Sequence, residues 1–278
     1  MSRSRVWLIT GSASGLGAGI ARAALNNGDQ VVATDLDLAR LDQTYRDDQV
    51  LTATLDIRDE RQAHAVVEAA MARFGRIDVL VNNAGYGQFG PFEEVEPDAI
   101  ERQFATNVFG TFNVTRAVLP VMRRQRSGHL IMMSSNGGFK GVRGASMYSA
   151  SKFAIEGFSE ALAEEVSEFG IHLTLLEPGA FRTDFLDSRM LKLGTRALSD
   201  YDAFRTHALA VFEARHHQQI GDPDRLGQAV IELAGLPEPP LRFIAGSDAV
   251  NIVEAKLARV GTELERWRSL SLSTDFPH

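Results

Sequence analysis

A glycine-rich turn set between a short apolar run and an alanine-rich helical stretch limits the folds open to this chain more than any other feature. Val6-Trp7-Leu8-Ile9 leads into Thr10-Gly11-Ser12-Ala13-Ser14-Gly15-Leu16-Gly17, and helical periodicity begins at Gly15. Glycines let a backbone approach a pyrophosphate without a Cβ clash, while free N–H groups at a helix start, and the helix dipole, favour the anion. Such loops also serve turns and close helix packing, so the context carries the reading: a strand before and a helix after make Gly11, Ser14, Gly15, Leu16 and Gly17 candidate phosphate contacts.

The same alternation continues downstream. Strands are expected at Arg5 to Thr10, Gln30 to Asp35, Val50 to Leu55, Val79 to Asn82, His129 to Met133, His172 to Leu176 and Arg242 to Ala245. Between them, helical periods run over Gly15 to Asn27, Leu38 to Arg46, Glu60 to Phe74, Ile100 to Met122 and Met147 to Phe169. Another helix starts at Pro223 and breaks at Pro237 to Pro240, and a last one covers Ala249 to Trp267. Strands joined by helices imply right-handed crossovers, hence an α/β, Rossmann-like, doubly wound parallel sheet in one domain spanning 1–278. The rhythm lapses at about 181–219, read as a helical excursion covering the sheet's carboxyl edge, and a helical C-terminal extension is expected at about 247–278.

Composition removes several classes of function. A formal net charge of -7 without a long Lys/Arg run opposes nucleic-acid binding. Zero cysteines exclude disulfides, thiolate metal sites and thiol nucleophiles, which suits a reducing compartment and makes the cytoplasm the expected location. No run approaches the roughly 20 apolar residues of a membrane-spanning helix. Small molecules are the expected partners.

Asp35 ends the second strand about twenty residues past the glycines, where an acid accepts hydrogen bonds from adenosine ribose hydroxyls. A carboxylate there repels a 2′-phosphate, Asp37 adds to the repulsion, and the loop has no basic residue, so NAD is favoured over NADP; Arg40 argues the other way. The alternative role for Asp35 is capping the next helix. Asp56 with Ile57, and Asn82-Asn83-Ala84-Gly85, end the third and fourth strands, where ligands bind in such sheets, although each is also ordinary turn chemistry. Tyr148 and Lys152 lie four apart on one helix face, which brings an ammonium near a phenol and favours the phenolate as general acid or base.

Together these marks resemble the short-chain dehydrogenase/reductase family, in its roughly 250-residue Tyr-x-x-x-Lys branch, from the first strand to about Gly246. The matching residues are Thr10-Gly11…Gly15…Gly17, Asp56, Asn82-Asn83-Ala84-Gly85, Asn107, Ser135, Tyr148-Ser149-Ala150-Ser151-Lys152, Pro178-Gly179 and Thr183. The resemblance implies hydride transfer between NAD and an alcohol or ketone carbon, with Tyr148 as acid/base and Ser135 bonding the substrate oxygen. It further implies that Lys152 binds the nicotinamide ribose, that Asn107 holds a relay water, and that Pro178, Gly179 and Thr183 position the carboxamide. Cofactor contacts are thus expected from Asn83, Ala84, Gly85, Tyr148 and Lys152 in addition to the glycine loop.

On the substrate side, Tyr86, Gln88, Gly137, Phe139, Val142, Phe181, Phe185, Leu186 and Met190 are the candidate lining, mostly apolar, which fits lipophilic alcohols or ketones. Arg143 and Arg182 are alternative anchors for a carboxylate. No metal site is expected, since His216 and His217, adjacent on one helix, should diverge and have no flanking ligand set. The family commonly pairs the Met147 to Phe169 helix with the preceding long one across subunits, so a homodimer or homotetramer is expected. The competing readings are a catalytically silent dinucleotide sensor, opposed by intact Ser135, Tyr148 and Lys152, and a nucleotide-sugar epimerase or dehydratase, opposed by the glycine spacing.

Overall fold

The computed structural model describes residues 4–45, 48–187 and 191–276. In chain order the elements are β1 (Val6–Thr10), α1 (Gly15–Asn26), β2 (Gln30–Asp35), α2 (Leu38–Thr44), β3 (Val50–Thr54), α3 (Glu60–Phe74), β4 (Val79–Asn82) and β5 (Gly87–Phe89). There follow α4 (Pro97–Phe104), a π-helical segment (Ala105–Gly110), α5 (Thr111–Gln125), β6 (Gly128–Met133), α6 (Asn136–Phe139), α7 (Ser146–Ser167) and β7 (Ile171–Pro178). The chain continues with β8 (Leu191–Leu193), α8 (Asp202–Arg215), α9 (Pro223–Gly235), β9 (Arg242–Ala245) and α10 (Ser247–Leu272).

Seven strands form one sheet in the order β3-β2-β1-β4-β6-β7-β9. Every pairing in it is parallel. Its central strands, buried on both faces, read as continuous apolar runs, and successive side chains enter two cores. Leu8, Val32 and Leu80 meet Val118 of α5 and Ile155 of α7 on one face, whereas Trp7, Ile9 and Val31 meet Ile20 of α1 and Val230 of α9 on the other. Strand progression reverses between β1 and β4, so the crevice at their carboxyl ends is the switch point where ligands bind in such sheets. This is the Rossmann-like architecture that the alternating pattern implies.

Local chemistry sets the element boundaries. Asp37, Asp59 and Asp222 cap α2, α3 and α9 by accepting backbone N–H bonds, Pro223 occupies the first turn of α9, and left-handed Gly75 ends α3. α1 and α9 cross on two glycines: a Cβ on Gly19 would lie 2.6 Å from the Pro223 carbonyl oxygen, and one on Gly227 would lie 2.5 Å from that of Gly19.

Three regions differ from the sequence reading. The single helix expected over Ile100 to Met122 is α4 and α5 joined by the π-helical segment. The stretch from Phe181 to Gln219 is more ordered than its lapsed rhythm suggests: it holds α8 and β8, and β8 pairs in parallel with β5 to form a separate two-stranded ribbon. Helix α10 runs on to Leu272, beyond the expected end at Trp267. Among the described residues no helix is long and apolar enough to cross a membrane.

Overpacking at the α1–α9 crossing is expected to destabilise. Gly227→Val, which drives a branched side chain against the Gly19 carbonyl, should lower the unfolding free energy by about 1–3 kcal/mol, read as a fall in the urea midpoint at unchanged slope.

Candidate active site

The crevice begins with a clasp between two turns. Thr10 Oγ1 accepts hydrogen bonds from Asn83 N and Ala84 N, both at 3.0 Å. Asn83 Nδ2 donates to the Thr10 and Gly11 carbonyls at 2.9 Å. Gly17 must be bare to fit beneath, because its Cβ would lie 2.4 Å from the Gly11 oxygen and 2.5 Å from Asn83 Nδ2. Gly11 and Gly15 take φ of +66° and +58°, conformations that favour glycine.

Ser14 stands at the N-cap of α1 with no side-chain cap bond, and the first turn holds no acidic residue. The helix start therefore offers its N–H groups and positive dipole end to an anion. Thr183 packs over this loop, 3.6 Å from where a Gly15 Cβ would sit, and its hydroxyl accepts from Phe185 N. Leu16 packs partly buried against the α1–α9 core.

Asp35 closes this end. Its carboxylate accepts from Ala13 N at 3.1 Å and Leu36 N at 2.8 Å, so it is fixed beside the glycine loop, while Asp37 is the residue that caps α2. Arg40 lies 3.8 Å from Asp184. Asp56 is held in the fork of Arg58, whose hydrogen bonds keep its carboxyl below the ordinary range. Ile57 is buried in the core with its side chain where a Gly110 Cβ would fall, which leaves only its main chain for a ligand. At the other flank, Gly179 N bonds the Ala245 carbonyl and a Cβ there would strike Asp248, which accepts from Ala180 N at 2.8 Å. Asp248 thereby fixes the turn after Pro178, a role with no local signal in the sequence.

The candidate catalytic residues lie on α6, α7 and the π-helical segment. Ser135 caps α6, its Oγ accepting from Gly137 N at 3.0 Å. A Gly137 Cβ would sit 3.3 Å from the Tyr148 ring and 3.5 Å from Ser135 Oγ, so a bare backbone lies against both hydroxyl-bearing residues. Burial raises the Tyr148 pKa and a hydrogen bond with Ser135 opposes the rise. Lys152 is buried, donates from Nζ to the Met133 carbonyl at 2.7 Å, and places that nitrogen 5.8 Å from the Tyr148 ring centre. Burial lowers its pKa to about 8 against the opposing pull of Glu156. Helical spacing alone predicts a phenol made acidic by its neighbour. In the folded protein desolvation dominates both groups and favours the neutral form of each.

Asn107 is a clamp. Its Oδ1 accepts from Tyr86 N at 3.1 Å and its Nδ2 donates to the Tyr86 carbonyl at 3.0 Å and to Ser151 Oγ at 3.2 Å. Gly85 passes so close that a Cβ would be 3.0 Å from Asn107 Oδ1. Ser151 Oγ in turn donates to the Tyr148 carbonyl at 2.7 Å.

Around Tyr148 the structure gathers aromatic rings. Phe89 stacks on it at 5.7 Å and Phe185 tilts against it at 5.8 Å. Phe212 from α8 meets Phe89 edge-on at 5.5 Å. Phe89 and Phe212 escaped the sequence reading, because neither lies beside a recognisable motif. Tyr86 and Leu186 are half-buried on the flanking turns, Val142 is 45% exposed, and Met190 lies outside the described residues. Gln88 is buried, with its backbone N–H bonded to Gln103.

Two expected substrate residues are assigned elsewhere. The Phe139 ring lies under the Arg242 guanidinium at 5.7 Å, and the Phe181 ring packs against Gly221 and the α1–α9 core. Short distance along the chain from Ser135 and Pro178 suggested both, whereas in the fold the rings make these packing contacts. Arg182 is tied to the Gln219 carbonyl at 3.3 Å. His216 and His217 do not diverge: α8 ends at Arg215, His217 adopts φ of +55°, and the rings meet at 4.1 Å. Among the described residues no group of three or more His, Cys, Asp or Glu is arranged to hold a metal.

Behind the serine turn lies an ionic cluster that the sequence does not announce. Arg242 of β9 bonds Glu156 and Glu160 of α7 and reaches Glu177 of β7 at 2.7 Å, while Ser134 donates to Glu156. Glu177 is fully buried, and burial raises its pKa. Only the spacing Lys152, Glu156, Glu160 hints at a common helix face; the arginine comes from the far end of the chain.

Residues 5–193 match the family described as short chain dehydrogenase. The chain is 38% identical to Oxidoreductase BOA17 of Botryotinia fuckeliana (strain B05.10), over 98% of its own length and 99% of that protein. It is 36% identical to a 3-ketodihydrosphingosine reductase of Bacteroides thetaiotaomicron, over 87% of this chain and 88% of the relative. A crystal structure of a short-chain dehydrogenase from Streptomyces avermitilis superposes with a TM-score of 0.89 at 38% identity, covering 99% of this chain and 100% of that one. The chain therefore belongs to the short-chain dehydrogenase family, a family of oxidoreductases.

The Lys152 shift has a pH signature. Its folded pKa of about 8 lies below the ordinary 10.5, so its contribution to stability is complete above the unfolded value and is lost as pH falls through about 8. The urea midpoint of the wild type should therefore rise relative to that of Lys152→Met between about pH 8 and pH 10; parallel profiles for the two proteins would refute the assignment.

Proposed function

We propose that this protein is a single-domain NAD-dependent oxidoreductase acting on a secondary alcohol or its ketone, with a lipophilic substrate. The observation that carries the reading is the convergence of Ser135, Tyr148 and Lys152, with Ser135 hydrogen-bonded to Tyr148 and Lys152 Nζ 5.8 Å from its ring centre, linked to the glycine turn through Asn83, Tyr86 and Asn107. The turn suits a dinucleotide: no side chain caps its helix start, Gly11 and Gly15 are left-handed, and a Cβ at Gly17 would close the cradle. Bound there, the nicotinamide would supply the hydride acceptor or donor. Gly11, Ser14, Gly15, Leu16 and Gly17 would hold the pyrophosphate, and Asp35 the adenosine ribose. Asp56, the main chain of Ile57, and Asn83 to Gly85 would flank the adenine side, and Pro178, Gly179 and Thr183 the carboxamide.

The chain's own residues then divide the work on the substrate oxygen. Ser135 and Tyr148 hydrogen-bond it, stabilising the charge that develops there. Ketone reduction takes the proton from the Tyr148 hydroxyl, which burial keeps protonated near neutral pH. Alcohol oxidation runs the proton the other way, and a cationic Lys152 close to the ring favours the phenolate that accepts it. The Asn107 clamp fixes Tyr86 and α7, and so the distance between the two ends of the site.

Two features favour a lipophilic substrate. Phe89 and Phe185 pack on Tyr148 and Phe212 extends that apolar surface from Phe89, and the 36% identical relative is named for a 3-ketodihydrosphingosine. Asp35 favours NAD over NADP, and Arg40, paired with Asp184, is not aimed at a phosphate. A homo-oligomer through α5 and α7 fits the aromatic surface there, where Phe109 of the π-helical segment leading into α5 is 57% exposed and Phe153 of α7 is 44% exposed.

With NAD and a panel of hydrophobic secondary alcohols, Tyr148→Phe should lower kcat by about 10²–10⁴-fold while leaving NADH binding by fluorescence unchanged. Retained turnover would assign the proton transfer to another group. Asp35→Ser should move the NAD/NADP preference, taken as a ratio of kcat/KM, toward NADP by about tenfold or more; an unmoved ratio would place the discrimination elsewhere.

A further inference from the structure

The part of α10 that leaves the body carries a pattern its own subunit does not use. Ala249 and Val253 are buried at the helix base, but from Glu254 to Phe276 every residue is exposed except half-buried Lys256. Along the helix, Val250, Val253, Leu257, Val260, Leu264 and Trp267 alternate strictly in steps of three and four. Leu257, Leu264 and Trp267 are each more than half exposed, at 57%, 55% and 52%. A strict three-four alternation is the 3.5-residue repeat of a seam covered by another helix, narrower than the stripe of a helix lying on a globular core. Gly261 sits beside that seam, and a Cβ added to it would meet nothing within 4 Å. Its own subunit gives no packing reason for a helix-weakening glycine there, whereas a bare backbone admits a closely approaching helix.

We propose that α10 pairs with α10 of a second copy of this chain, antiparallel, through the Leu257–Val260–Leu264–Trp267 stripe. The charges select the occupant. Within Ser247–Leu272, Lys256, Arg259, Arg266 and Arg268 balance Asp248, Glu254, Glu263 and Glu265, a mixed pattern unlike the cationic face of a helix lying on anionic lipid. Lys256 and Glu263 occupy the same flank of the stripe one heptad apart, so an antiparallel two-fold sets each lysine opposite the other copy's glutamate, twice. The same register faces Leu257 with Val260 and brings Trp267 over Val250 at the other copy's helix base. The pairing also carries the exposed tip residues Leu270 and Leu272 toward the other copy's body. Glu263 lies 3.6 Å from Arg259 within its own helix, an exposed pair too weak to compete. This contact is separate from the α5–α7 face and does not depend on the catalytic reading.

The test is the mass of the full-length protein by sedimentation velocity, against the 30.4 kDa subunit. Leu257→Glu combined with Leu264→Glu should halve the assembly mass, while Thr262→Glu, on the opposite side of the helix, leaves it at the wild-type value. Circular dichroism of both variants verifies that the fold is retained. The chain has no cysteine, so introduced thiols report the register cleanly. An equimolar mixture of Lys256→Cys and Glu263→Cys proteins should form a disulfide-linked dimer on mild oxidation. An unchanged mass in the double glutamate variant, or a mixture that gives no cross-link, overturns the proposal. So does a wild type that sediments as one subunit and binds phosphatidylcholine vesicles through this helix.

Discussion

The hydrogen bonds between Thr10 and Asn83 are the constraint from which the rest of the site follows. β1 and β4 are neighbours in the sheet but far apart in sequence, and the crevice between their ends exists because strand order reverses there. Thr10 Oγ1 and Asn83 Nδ2 fix the two turns against each other and set the height of the glycine loop. From Asn83 the chain passes through Gly85 to Tyr86, whose backbone is gripped by Asn107, which bonds Ser151, which bonds the Tyr148 carbonyl. A continuous polar ladder thus runs from the proposed cofactor cradle to α7, which carries Tyr148 and Lys152. Each rung is a short contact between groups with little alternative, so an error at one end is passed to the other.

Electrostatics at the catalytic end are governed by burial more than by charge pairing. Burial holds Tyr148 in its protonated form and lowers the pKa of the Lys152 ammonium to about 8, so each group is pushed toward its neutral form and Lys152 gives up its proton well before the phenol does. The charges required nearby sit one layer back, where Arg242 gathers three carboxylates and Glu156 faces Lys152. Removing one partner from so buried a group is costly because the others lose their counter-charge. That cost explains why a residue from the last strand can hold the serine turn in place.

The sheet was legible because its signals are local. Apolar runs of strand length, helical periods between them and a glycine turn at the first junction define the parallel core, and the order of the polar strand ends defines the crevice. The spacing of Ser135, Tyr148 and Lys152 likewise survives in one dimension. What the sequence concealed depends on contacts between distant segments. Phe89 and Phe212 meet only because the excursion folds back and β8 pairs with β5, and neither three-residue strand has a periodicity to read. Phe139 and Phe181 lie next to motif residues, but a direction set by backbone geometry sends their rings into packing. Arg242 and Asp248 act across gaps of many tens of residues with no motif around them.

The π-helical segment Ala105–Gly110 makes chain length itself a variable of the site. Hydrogen bonds of the i to i+5 kind accommodate one more residue than an α-helix would over the same rise. An uninterrupted helix would put Gln103 in phase with Val121; the surplus residue instead turns the buried face of α5 (Val114, Val118 and Val121) about 100° away from that of α4 (Ala99 and Gln103). Deleting a single residue here would regularise the helix and strengthen its local hydrogen bonding. It would also rotate one half by about 100° relative to the other, and Asn107 could no longer face Tyr86 and Ser151. In this stretch the more regular backbone is the one that dismantles the Asn107 clamp, so the number of residues sets the geometry as much as their identity does.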